Sequence, residues 1–233
     1  MQITPALTNA IRIDRDSGDY PQRLCDLYDP PDSLYIYGDA NLLKKPMIAI
    51  VGSRNASPDG LKNARNLARG LAKAGALIVS GMALGIDSAV HRAVIELGAG
   101  HFTAAILGTG IDLVYPRQNI SLYQAIGRQG LLVSELPIGT GPKAWHFPRR
   151  NRIIAALALG VVVIEAAERS GSLITARLAA DLGREVFALP GSICNPNSIG
   201  CHLLIQQGAK LIFRPSDVLE ELDFCLKTSF KVL

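Results

Sequence analysis

Apolar strand-length runs alternating with amphipathic stretches predict an α/β fold, a doubly wound and mainly parallel sheet. Three observations carry this. The alternation is regular from Met47 onward. The run Val161-Val-Val-Ile164 is apolar at every position, as a strand buried on both faces requires. The runs also end on small or functional residues: Gly52-Ser-Arg54, Ser80-Gly81, Gly108-Thr-Gly110, Glu135, Ser170-Gly-Ser172 and Pro190-Gly191. A parallel sheet brings such ends to one edge, where ligands bind in the crevice at the reversal of strand order.

Taken in order, residues 1–45 read as a lead-in segment packing on the main domain. Tyr20-Pro-Gln-Arg-Leu24 and Asp29-Pro-Pro-Asp32 are turn-rich, and Leu34–Tyr37 is a strand candidate that stops at Gly38. The main domain is expected over residues 46–225, opening on the strand Met47–Val51. In the helix predicted over Leu61–Lys73, Leu61, Ala64, Leu67, Ala68 and Leu71 share the core side. Lys62, Arg65, Arg69 and Lys73 line the other side as a solvated basic stripe. The strand Ala76–Ser80 precedes a helix over Asp87–Leu97, with Asp87 as its N-terminal anchor. Phe102–Leu107 and Leu131–Ser134 are further strands. A short helix over Ile153–Leu159 leads into the strand Val161–Glu165, and Ser170-Gly-Ser172 opens the helix Ser172–Leu182. The strand Glu185–Leu189, the helix Cys201–Gln207 and the strand Lys210–Ile212 complete the alternation, with room for a mixed edge strand. Residues 226–233 read as a tail.

The 233 residues suffice for one large domain, or one with an appendage. Hydrophobic residues make up 48% and aromatics 6%, so the core is aliphatic. A net charge of +4 permits a polyanionic partner without demanding one. No apolar run reaches membrane-spanning length and the N-terminus lacks a signal-peptide pattern, so a cytoplasmic protein with no membrane partner is expected. The cysteines make no C-x-x-C pair, and Cys194, Cys201 and His202 match no common zinc spacing. Reduced thiols, no metal and no cofactor are the expectation.

Phe147-Pro-Arg-Arg-Asn-Arg152 crowds three arginines into four residues, an arrangement expected to need an anion nearby. The Gly/Ser turn at Ser170-Gly-Ser172 would present free N–H groups at a helix start, which suits phosphate. In Gly52-Ser-Arg54 a glycine turn, a hydroxyl and a guanidinium can grip the same group. Phe147 reads equally as a base-stacking ring or a core side chain, and His146 as a phosphate contact or a loop histidine. Asp87 and His91 read as a cap and a satisfied histidine ahead of an acid–base pair. The G-x-x-x-x-G-K-[ST] loop is absent, Leu113 stands where a dinucleotide fingerprint needs its third glycine, and there is no G-x-S-x-G elbow. No nucleophile has an evident base. The crevice therefore reads as a binding site, not an enzyme.

The ordered set Gly52-Ser-Arg54, Ser80-Gly-x-Ala-x-Gly-Ile-Asp87, Tyr115-Pro116, Phe147-Pro-x-Arg-Asn-Arg-Ile-Ile154, Ser170-Gly-Ser-Leu-Ile-Thr-Ala176 and Pro190-Gly191 resembles the DprA/Smf DNA-processing family over Met47–Asp223. The resemblance implies an extended Rossmann-like fold that binds single-stranded DNA in natural transformation, forms a homodimer and passes the strand to the recombinase RecA. Carried over by motif position, Arg54, Lys143, Arg149 and Arg152 would contact phosphates, and Phe147 would stack on a base. Ser53, Gly81, Gly171 and Ser172 would supply backbone or hydroxyl contacts, and Asn151 would shape the pocket. Lys143 lies in a loop of variable length. By the same resemblance, the chain is expected to lack the winged-helix-like C-terminal domain of many members and the small N-terminal helical domain of some.

Two other functions fit the architecture. It also resembles the Lonely-guy-type nucleotide hydrolases, but their Pro-Gly-Gly-x-Gly-Thr-x-x-Glu motif is replaced here by Ser170-Gly-Ser-Leu-Ile-Thr175. Glu165 or Asp87 would have to serve as the carboxylate. A nucleotide sensor acting through dimer rearrangement is the third reading.

Overall fold

The structure, a computed structural model, describes residues 10–229, with side chains up to Leu222. One sheet runs through it. Its strands are β1 (Ile11–Asp14), β2 (Ser33–Gly38), β3 (Met47–Gly52), β4 (Leu77–Ser80), β5 (Thr103–Ile106), β6 (Leu131–Ser134), β7 (Gly160–Ile164), β8 (Glu185–Ala188) and β9 (Lys210–Leu211). They lie in the order β1-β2-β6-β5-β4-β3-β7-β8-β9. The strands from β6 to β9 pair in parallel, whereas β2 pairs antiparallel with both β1 and β6. The fold is α/β and Rossmann-like, and its antiparallel edge comes from the lead-in segment.

The helices are α1 (Pro58–Lys73), α2 (Ile86–Ile95), α3 (Ile120–Gln129), α4 (His146–Leu157), α5 (Gly171–Asp181), α6 (Ile199–Gln206) and α7 (Pro215–Ser229). Strand alternation divides the core into two layers. Ile48 and Ile50 of β3 point to the side holding Leu67 and Leu71 of α1, Val90 of α2 and Val218 and Leu222 of α7. Met47, Ala49 and Val51 point to the side holding Ile153, Ile154 and Leu157 of α4 and Ala176 of α5. Each buried branched side chain contributes about 1.5–3 kcal/mol, so β3, covered on both faces, is the fixed axis of the molecule.

Several elements differ from the sequence expectation for identifiable reasons. β1 is a half-buried edge in which only Ile13 enters the core, too weak a signal to read alone. α3 contains Gly127, a poor helix former, because a Cβ there would strike the Tyr37 ring. α4 starts at His146, well before Ile153: Pro148 lies in the first turn, where its missing N–H has no helical partner to lose. The arginine cluster thus lies within the helix rather than ahead of it. α7 begins on Pro215 and runs to Ser229, past the boundary at 226 where a tail was expected. Residues 230–233 of that tail and 1–9 of the lead-in lie outside the described residues.

The lead-in is tied down by specific bonds. The Tyr20 hydroxyl donates to the Pro31 carbonyl at 2.7 Å, and burial pushes this phenol up to about 12. Asp26 is ion-paired with Arg184, which also reaches the Ala156 carbonyl at the end of α4.

Candidate functional site

Strand order reverses at β3: the chain proceeds through β4, β5 and β6 on one side and returns to β7 on the other. The carboxyl ends of β3 and β7 flank a crevice of about 440 Å³. They approach so closely that a Cβ on Gly52 would collide with the Ile164 carbonyl, and the Ser53 N–H donates to the Glu165 carbonyl at 2.7 Å. Behind this turn Gly85 holds φ +75°, and a Cβ there would collide with the Ser53 carbonyl. Glycine thus fixes the loop that presents Ser53 and Arg54.

Arg54 is exposed at the crevice, with its guanidinium 5.9 Å from the centroid of the Phe147 ring. Phe147 is half-buried and lies against the backbone of Gly108, where a Cβ would come within 2.8 Å of the ring. On the far wall, the Ser170 Oγ caps α5 by accepting the Ser172 N–H at 3.3 Å, and the two serine hydroxyls are 2.7 Å apart. Gly171 beside them is exposed, with open space over its Cα. Asn151 donates to the Gly171 carbonyl at 3.3 Å, linking α4 to α5 across the crevice. Arg169, just before the cap, adds a second exposed guanidinium. A helix N-terminus with two exposed arginines forms an anion-attracting wall.

Arg150 forms the floor. It is buried, donates to the carbonyls of Gly81 (2.6 Å) and Ile106, and donates through Nε to the Asn151 side chain at 3.1 Å. Burial lowers its pKa to about 10, with Asp87 opposing, so it stays charged near neutrality. Asp87 accepts the Ala83 N–H at 3.2 Å; burial raises its pKa against the pull of Arg150.

The sequence-expected residues therefore divide. Ser53, Arg54, Phe147, Asn151, Gly171 and Ser172 line one crevice. Gly81 does not: it is buried, and a Cβ there would lie 2.5 Å from the Arg150 guanidinium, so it makes room for that side chain. Lys143 is exposed outside the crevice lining, with its Nζ 6.0 Å from the Trp145 ring centroid. Arg149 and Arg152 turn towards Glu135, at the end of β6, and towards Asp29 of the lead-in. Arg152 pairs closely with Glu135, and Arg149 lies 3.6 Å from both carboxylates. The Glu135 side chain is only 7% exposed; burial raises its pKa, and the two arginines oppose that rise. The anion that the crowded arginines require is internal for these two. Successive helical residues project about 100° apart, so Arg149, Arg150 and Arg152 cannot all face one ligand.

The sequence reading left Arg150, Arg169 and Tyr115 without roles. Arg150 is a fixed position of the α4 motif and Arg169 directly precedes the Gly/Ser turn, so both were within reach. The carboxylates suggested for hydrolysis have other duties. Glu165 accepts the Ser57 N–H at 2.8 Å and the Ser57 hydroxyl at 2.5 Å, anchoring the start of α1. His91 is fully buried, with Nδ1 2.7 Å from the Thr103 hydroxyl. His146 is buried behind Trp145 rather than exposed in a loop. The Cys201 thiol is buried against the Val163 carbonyl at 3.7 Å, and its pKa is pushed up to about 11 by burial. No described helix is long and apolar enough to cross a membrane.

Fold and site together define a Rossmann-like α/β protein with a basic, aromatic-edged crevice at its switch point. The family model described as DNA recombination-mediator protein A matches residues 12–223, and the chain belongs to that family. It is 48% identical over 205 residues to DNA processing protein DprA of Streptococcus pneumoniae, covering 88% of this chain and 72% of that protein. To Protein Smf of Escherichia coli it is 46% identical over 215 residues, covering 92% of this chain but only 57% of the relative. A structure described as giving the single-stranded DNA binding mode of DNA processing protein A from Helicobacter pylori superimposes with a TM-score of 0.82 at 33% identity, covering 92% of this chain and 95% of that one.

Proposed function

We propose that the chain binds single-stranded DNA in the switch-point crevice, protects the incoming strand and helps load RecA during natural transformation and recombination. It acts in the cytoplasm as a homodimer and without catalysis. The observation that carries this reading is the convergence of Arg54, the α5 N-terminus and Phe147 on one crevice: two phosphate-attracting groups beside a ring able to stack on a base. Family membership supports it, as does the single-strand binding described for the Helicobacter pylori relative. Arg149 and Arg152 remain assigned to phosphate, through the exposed part of Arg149 and by exchange of Glu135 and Asp29 for a phosphate group. Lys143 contributes from the adjoining loop, and Gly81 acts by seating Arg150.

The test is a salt-resolved comparison of single-stranded and duplex oligonucleotides. Single-strand binding should dominate, with log affinity falling against log salt at about 0.7 per phosphate neutralised. Equal affinity for duplex, or no salt dependence, contradicts the reading.

A further inference from the structure

Two exposed aromatic rings lie outside the crevice lining, each in contact with a ring of the α4 start. Tyr115 is 47% exposed and Trp145 is 55% exposed. The Tyr115 ring lies 5.2 Å from Phe147, tilted by 37°, and so extends the ring surface that Arg54 also contacts. Trp145 immediately precedes the first turn of α4. Its indole stands nearly perpendicular to the buried His146 imidazole, with centroids 4.1 Å apart and planes at 75°. The Lys143 ammonium lies 6.0 Å from the indole centroid. A single exposed hydrophobic residue is ordinary. Here, however, two wet rings flank the one aromatic that lines the crevice, and a lysine and an arginine are interleaved with them. Flat rings alternating with cations match the alternation of bases and phosphates along a flexible strand. An apolar protein partner would instead favour a continuous aliphatic patch without the charges.

We propose that Tyr115 and Trp145 are base-stacking platforms, so that a strand held in the crevice leaves it across the carboxyl ends of β5 and β6, past Lys143. This rests on the single-strand reading above and adds a direction and two contact residues. Bases stacked there are read by their faces, so the exit path tolerates any sequence.

Trp145 is the one tryptophan of the chain, so its emission reports this position alone. The intact protein is titrated with oligothymidines of roughly six and roughly twenty nucleotides, short and long against a single binding groove. The long strand should quench Trp145 emission. Trp145→Ala and Tyr115→Ala should each weaken the long strand at least about 5-fold, the low end of one lost stack. The short strand should be nearly unaffected, Trp145→Phe and Tyr115→Phe should retain binding, and the salt slope should not move, because no phosphate contact is lost. Unchanged emission, undiminished affinity in both alanine variants, or a reduced salt slope overturns the rim assignment. If wild-type protein binds the long strand and Arg54→Ala weakens it, the crevice reading survives that outcome. Failure of wild-type protein to bind either strand overturns both.

Discussion

Arg54 makes no ion pair among the described residues, and its position beside Phe147 leaves its charge for a ligand. Arg54→Ala should lower the salt slope of single-strand binding by about 0.7, one phosphate contact, without lowering thermal stability. Salt titration and a melting curve check both halves. His91 is the opposite kind of residue. Thr103 Oγ1 donates to the Ile78 carbonyl, so His91 Nδ1 serves as the donor to Thr103 and the ring is neutral. Burial, seconded by the charge of Arg150, depresses its pKa from 6.5 to about 3. The unfolded chain then binds the proton more readily. The stability due to this group is complete above about pH 6.5 and is lost as pH falls from there towards 3, with a slope approaching about 1.4 kcal/mol per pH unit. Denaturant titrations of wild type and His91→Asn across that range should differ by this slope.

The elements show how far the sequence could be read. The strands from β3 to β7 were legible because nearly complete burial writes apolar runs, and the crevice was legible because glycine and serine punctuate their ends. α4 was not. Its first two turns carry proline, arginine and asparagine, a composition that reads as loop, and helical projection then sends Arg150 to the floor of the crevice and Arg149 and Arg152 to Glu135 and Asp29. Periodicity along one segment cannot reveal Glu135 and Asp29, which arrive from β6 and from the lead-in. Glu165 misled in a similar way: as a charge at a strand end it resembles a catalytic group, yet it secures α1. Ser57→Ala removes both the cap on the Gly60 N–H and a partner of Glu165, and should cost about 1–2 kcal/mol by chemical denaturation with an unchanged m-value. Gly60→Ala should be at least as costly, because its Cβ would meet the Glu165 carboxylate, an anchored group unable to yield.

At the scale of the whole molecule, the crevice lies where two halves of a parallel sheet part, and the carboxylate that lines it, Asp87, is buried and engaged by the Ala83 N–H. Prolonged incubation with nucleoside monophosphates should therefore release no free base, as chromatography would show; steady release would restore the hydrolase reading. The sheet also has a flank to guard. β2 covers β6 through the pairs from Tyr35–Ser134 to Gly38–Leu131, and Asp26 and Asp29 brace the same segment against Arg184, Arg149 and Arg152. A fragment trimmed to begin at Met47 would leave the backbone of β6 as a naked ribbon, its N–H and C=O groups ready to recruit another copy, and would strip Arg184 of its carboxylate partner. The leading residues are a selvage: they keep a woven edge from unravelling into its neighbours.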